Sequence, residues 1–307
     1  MKRLRGILKV VALVVVVAFI AWYVAQNWHD VVPIFRTLEW WQYVSAGAAI
    51  VVGLIASMLS WRSILAGMGS RLPMLAAARV FFLGQLGKYV PGSIWPVVAQ
   101  AELASEYGTP RTRSGIALLV QMAVSTVVGT LFAALCLALS SPAAFVAYWW
   151  LLLIALVGVV CLAPPIFTRV MRFAARVLRR PADDLAALSW RALFAGAGWS
   201  LAMWAFFGVH LWVLAITLGG NSLTGLLTAA GGYALAWLVG FVIIFLPAGA
   251  GAREAALTLA LAPVLSGPAA LGLALVSRFL MLAADALFAV AAVAAERLHR
   301  RAQSRRA

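Results

Sequence analysis

The stretch Gly87-Lys88-Tyr89-Val90-Pro91-Gly92-Ser93-Ile94-Trp95-Pro96 sets two prolines, two glycines and a lysine inside a chain that is otherwise rich in apolar residues. Ala76 to Leu86 before it and Val97 to Tyr107 after it are apolar runs at helical length. Each is roughly half of the ~20 residues that a helix needs to cross a bilayer. Backbone groups freed by such a break persist at membrane depth only inside protein or beside a water-filled cavity. The pattern therefore predicts a re-entrant helical hairpin over 76–107 with this stretch at its tip. The remaining segments then form the wall around it.

Composition sets the class. The 307 residues are 65% hydrophobic and 11% charged, whereas soluble domains carry about 25% charged residues. A soluble globular fold is excluded, and an all-α polytopic membrane protein, a single integral membrane domain over 1–307, is expected. The net charge of +15 would suit nucleic acid, but helical membrane proteins gather Lys and Arg in cytoplasmic loops. The topology below puts every Lys and Arg on the cytosolic side except Arg36, which falls outside, and Arg79, Lys88, Arg253 and Arg278, which fall in or near apolar segments. No nucleic acid is needed as a partner. Cys136 and Cys161 both lie in apolar runs, which implies neither a disulfide framework nor a metal site.

Lys2, Arg3 and Arg5 precede an apolar run too long for a signal-peptide core and lacking a small-residue cleavage site, so 7–26 reads as an uncleaved first span with its N-terminus inside. Further full spans are expected at 43–66, 114–139, 146–163, 192–217 and 268–294. Asn27 to Gln42, with Trp28, Trp40 and Trp41, reads as an outer interfacial loop. Arg71 before the 76–107 hairpin and Arg111 and Arg113 after it place both of its ends on the cytosolic side. In 166–180 an apolar stripe opposes five arginines, which predicts a basic amphipathic helix on anionic inner-leaflet lipid. The segment 295–307 reads as a basic cytosolic tail. Parity then requires 223–267, broken at Pro247 to Glu254, to enter and leave on the outer side. It does so either as a second re-entrant hairpin or as a full helix followed by a short one.

Two half-length, Pro/Gly-interrupted segments approaching from opposite faces are the mark of inverted-repeat transporters, which bind substrate where the broken helices meet. The tips share a short pattern, Tyr89-Val90-Pro91-Gly92-Ser93 against Phe245-Leu246-Pro247-Ala248-Gly249. Each break starts a new helix. Ser93 is placed to cap one, with Trp95 and Pro96 in its first turn, while Gly249 and Gly251 allow close approach to the other. Two helix N-termini with Lys88 and Arg253 suit an anion such as a lipid phosphate. Glu102, Glu254, Arg278 and Asp285 are the acidic and basic side chains expected to line or gate a polar path. Internal ion pairing that merely holds the bundle together competes with that reading, most strongly for Glu106 and Asp285. Gly84 to Lys88 lacks the Ser or Thr and the preceding strand of a phosphate loop, and neither a zinc spacing nor a nucleophile elbow occurs. No metal and no cofactor is expected, and His210 reads as a packed residue.

Gly87-Lys88-Tyr89-Val90-Pro91-Gly92-Ser93-Ile94-Trp95 resembles the Gly-Lys-Tyr-x-Pro-Gly-x-x-Trp signature of the lysylphosphatidylglycerol synthase transmembrane-region family. Pro247 to Glu254 resembles that family's Pro-Gly-Gly-x-Gly-x-Arg-Glu motif, with Ala248 where a glycine is usual. The resemblance implies the flippase-like membrane region of such synthases. The soluble transferase domain that follows it in them is expected to be absent here. Stand-alone members of this kind accompany lipid and lipid-linked sugar pathways. The expected function is thus transport of an anionic phospholipid or lipid-linked headgroup between leaflets, not an enzymatic reaction. The alternatives are a membrane-embedded enzyme, or an accessory partner, of lipid or polyprenyl-phosphate glycan metabolism. Another copy of the chain or a lipid-pathway enzyme is the candidate protein partner. The expected location is the inner (plasma) membrane, with both termini cytoplasmic.

Overall fold

The computed structural model describes residues 28–89, 94–163, 165–166, 169, 189–242 and 251–304. The first span expected at 7–26, most of the amphipathic helix at 166–180, and the tip residues Pro91, Gly92, Ser93, Pro247 and Gly249 lie outside them. All regular elements among the described residues are helical: α1 (Trp28–Thr37), α2 (Trp40–Gly67), α3 (Met74–Gln85), a 3₁₀ turn (Leu86–Tyr89), α4 (Trp95–Ser105), α5 (Arg111–Ser140), α6 (Pro142–Tyr148), α7 (Trp150–Leu162), α8 (Trp190–Ala215), a second 3₁₀ turn (Ile216–Leu218), α9 (Leu223–Val242), α10 (Ala252–Leu261) and α11 (Gly267–Ser304). Five of them, α2, α5, α8 with its 3₁₀ extension, α9 and α11, are long and apolar enough to cross a membrane. The bent pair α6–α7 makes a sixth if taken as one span. The chain is an all-α polytopic membrane protein.

Three boundaries differ from the sequence reading. Residues 28–37 form a helix rather than an interfacial loop, because Phe35 packs on Phe279 of α11 and on Tyr43, whose hydroxyl donates to the Phe35 carbonyl at 2.8 Å. Glu39 then opens α2 in a reciprocal cap with Gln42. The gap left between the spans expected at 114–139 and 146–163 is mostly helical, since Ser141 accepts the Ala144 N–H and starts α6 at Pro142, and the chain bends by 50° into α7. The last span and the tail as far as Ser304 are one helix, α11, of 38 residues.

Small residues set the closest approaches, as expected where helices have little hydrophobic drive to associate within lipid. The antiparallel pair α2 and α8 is the most extensive contact. Along it Ser60 donates to the Gly196 carbonyl at 2.9 Å, and Gln42 donates to the Val213 carbonyl at 2.6 Å. On α5, Gly129 lies against the indole of Trp204, whose N–H reaches the Ser125 carbonyl at 2.9 Å.

Against this wall lie two hairpins, one of two short helices and one of a full helix and a short one. α3 and α4 pack on each other and on α11. They come so close at the tip that a Cβ on Gly87 would stand 2.7 Å from the Pro96 nitrogen. α9, at 20 residues, is full-length, and α10, at 10, runs back along it, so 223–267 is a full helix plus a short one. The return ends where it began: the Val264 carbonyl lies 3.7 Å from the Cβ position of Gly219.

Candidate functional site

α11 serves as a ruler for both hairpins. Near one end of it, Gly267 follows α10 after the short turn 262–266, while near the other Glu296 accepts from Arg79 Nε at 2.9 Å and from the Tyr107 hydroxyl. Arg79 also bridges to Glu106 at 2.7 Å, so the open end of the α3–α4 hairpin is tied to the far end of α11. The two hairpins thus open toward opposite ends of one helix. From 267 to 278 and again from 285 to 296 the chain runs eleven residues, or about 16 Å of helix. Between them, Arg278 and Asp285 mark its middle.

Both breaks arrive at that middle. Lys88 Nζ lies 2.6 Å from Asp285 Oδ2, and the Tyr89 hydroxyl donates to the same oxygen at 2.5 Å. On the other side, Arg278 Nη1 lies 2.6 Å from Glu254 Oε1, and the Gly251 N–H donates to Glu254 Oε2 at 2.6 Å. Gly251 takes φ +85, a left-handed conformation that favours glycine, and caps α10. Each break is therefore held to α11 through one carboxylate that serves a cation and one further donor. Glu254, Arg278 and Asp285 are buried, at 5%, 4% and 4% exposure, whereas the Lys88 side chain is 34% exposed.

Arg253 completes the cluster. Its guanidinium carbon lies 4.7 Å from the centre of the Tyr233 ring on α9, and no carboxylate lies within ion-pairing distance of it among the described residues. Arg253 and Arg278 are both within electrostatic reach of the Tyr89 hydroxyl, which places the two breaks in one electrostatic neighbourhood. Tyr233 is itself walled by Phe207 at 5.7 Å and His210 at 4.8 Å between ring centres. His210 shares a 2.8 Å hydrogen bond with Ser277, the neighbour of Arg278.

The structure thus brings together Lys88, Tyr89, Gly251, Arg253, Glu254, Arg278 and Asp285. Arg278 and Asp285, both on α11, serve two different breaks. Glu102 belongs elsewhere: it pairs with Arg111 Nε at 2.7 Å in the exposed group near Arg79, because α4 carries it away from the tip. Trp95 stands at the first turn of α4, half exposed, and the residue preceding the helix is Ile94. Tyr233, His210 and Ser277 were not singled out as site residues. Each sits in an uninterrupted apolar span, and only the fold aligns them with the breaks. What the cluster offers chemically is cationic hydrogen-bond donation at the middle of α11.

The model of the family described as Lysylphosphatidylglycerol synthase TM region matches residues 9–289, a range that includes both breaks. No curated protein matches the chain.

Proposed function

The chain belongs to the lysylphosphatidylglycerol synthase TM region family, and on that premise we propose that it is a flippase-like transporter, not an enzyme, moving an anionic phospholipid or lipid-linked headgroup between leaflets. One observation carries this reading. At the middle of α11, two interrupted segments present Lys88, Arg253 and Arg278 against, among the described residues, Glu254 and Asp285. Charge in a membrane interior is costly and is kept where it handles a charged ligand or path. The surplus cation is Arg253, which pairs with no carboxylate among the described residues, so an arriving phosphate completes the balance. Lys88, the more exposed of the other cations, is placed to exchange Asp285 for that phosphate as the headgroup passes. The opposed hairpins agree with the broken-helix design of alternating-access carriers, whose site stays near the midplane.

Orientation follows from the cations. Arg62, Arg79, Arg111, Arg113 and Arg297 gather at one end of the bundle, where Arg62 bonds the Leu72 carbonyl and Arg113 bonds Ser70. The excess of basic residues supports assigning that end to the cytoplasmic side of the cell membrane. Reconstituted vesicles carrying fluorescent phosphatidylglycerol test the transport reading. The wild type should move the lipid between leaflets, and Lys88→Ala with Arg253→Ala should abolish that movement. A wild type that moves no anionic lipid, or a double variant at full rate, overturns the proposal.

A further inference from the structure

The Tyr233 hydroxyl is shut off from solvent and finds no hydrogen-bond acceptor among the described residues. Buried polar atoms are nearly always paired, and each exception needs a reason. Phenylalanine would fill the same place against Phe207 and His210 without a desolvated hydroxyl, so packing does not explain the oxygen. Arg253 is the neighbouring cation, but a guanidinium can only donate to the hydroxyl oxygen and gives the hydroxyl's own proton no acceptor. With five N–H donors, the guanidinium keeps others available to a further group.

The carboxylates nearby among the described residues are already engaged. Glu254 uses one oxygen for Arg278 and the other for the Gly251 N–H, and Asp285 accepts from both Lys88 and Tyr89. Spare capacity at this point therefore consists of donors: the edge of Arg253 and the Tyr233 hydroxyl. A group that satisfies both is rich in acceptors and negatively charged. We infer that Tyr233 is the second donor of an oxyanion seat headed by Arg253, its hydroxyl donating to a phosphodiester oxygen while the guanidinium neutralises the charge. His210, fixed by Ser277, and Phe207 are positioning residues that hold the ring under Arg253. This seat rests on the transport reading and narrows it, because a neutral headgroup would leave Arg253 and Tyr233 as they stand.

The test compares the purified full-length chain with Tyr233→Phe by thermal melting in mixed micelles. The probes are dioleoylphosphatidylglycerol and, separately, soluble glycerol phosphate. Without probe, the variant should melt at or above the wild-type temperature, since it loses a buried donor that has no acceptor among the described residues. Phosphatidylglycerol should stabilise the wild type, and half-saturation should need about tenfold more lipid in the variant, the worth of one good hydrogen bond. Stabilisation by glycerol phosphate as well would support an oxyanion seat reached from water; stabilisation by the lipid alone would support one reached from the bilayer. Equal half-saturation in the two proteins overturns the role of Tyr233 while leaving transport standing. A wild type stabilised by neither probe counts against the transport reading itself and removes the seat with it. A variant that melts several degrees lower without probe shows that the hydroxyl has a protein partner, and it overturns the inference.

Discussion

Glu254 performs two functions with one side chain, accepting the Gly251 N–H that starts α10 and neutralising Arg278, both at 2.6 Å. Removing one member of a buried ion pair strands the other, at a cost of about 3–5 kcal/mol. Arg278→Met should therefore lower the melting temperature in detergent by several degrees. Adding Glu254→Gln should recover most of the loss, because glutamine keeps a carbonyl for Gly251 and removes the stranded charge. Equal melting of the single and double variants would show that charge is not the source of the damage. The same scale separates two glycines. At Gly87 a methyl group would stand 2.7 Å from the Pro96 nitrogen and 2.8 Å from the Trp95 carbonyl carbon, both backbone atoms that cannot step aside. Gly87→Ala should cost about 1–3 kcal/mol by forcing the α3–α4 hairpin apart. Gly47→Ala, with nothing within 4 Å, should instead stabilise α2 slightly, as alanine does within a helix. Thermal melts of the two variants check the contrast. Arg278 and Asp285 were legible in the sequence as charges inside an apolar run. Their partners were not, since the Tyr89–Asp285 contact joins residues 196 apart and depends on how whole helices meet.

At the scale of elements, the two hairpins are fastened to α11 independently. The first is held at its tip by Asp285 and at its open end by Glu296, and the second at its tip by the Glu254–Arg278 pair. Loosening one should leave the other intact. Asp285→Ala removes the acceptor of both Lys88 and Tyr89, so amide exchange in α3, the Leu86–Tyr89 turn and α4 should quicken while α10 stays protected. Hydrogen–deuterium exchange with mass spectrometry reads both at once, and equal loss of protection in α10 would refute separate fastening. These elements were legible in the sequence because proline and glycine interrupt apolar runs of half length, a signal that needs no tertiary information. The 28–37 helix was not. Its polar and aromatic residues suit an interfacial loop equally well, and the contact of Phe35 with Phe279 selects the helix. The full length of α9 stayed open for a similar reason, since an apolar run up to a proline fits either a half or a whole span.

For the whole molecule, apolar composition gave the class and the positions of basic residues gave a sidedness. Depth within the bilayer depends on packing, which composition does not encode. Arg36, on α1, stands apart from the group formed by Arg62, Arg79, Arg111, Arg113 and Arg297. α1 packs near Phe279, in the half of α11 toward Gly267, whereas Arg79 reaches Glu296 in the other half. If basic residues mark the cytoplasmic side, then Arg36 faces outward and Arg71, in the α2–α3 connection, faces inward. Two single-cysteine variants, Arg36→Cys and Arg71→Cys, built on a background with Cys136 and Cys161 replaced by alanine, make this measurable in intact cells. A membrane-impermeant maleimide should label position 36 from outside and leave position 71 unlabelled until the membrane is permeabilised. The reverse pattern would invert the molecule, so that the α3–α4 hairpin opened outward and the α9–α10 return opened to the cytoplasm. Labelling of both positions from outside would be the more damaging result. It would place the two hairpins on one face, and the meeting of their tips at the middle of α11 could then no longer mark the midplane of a carrier.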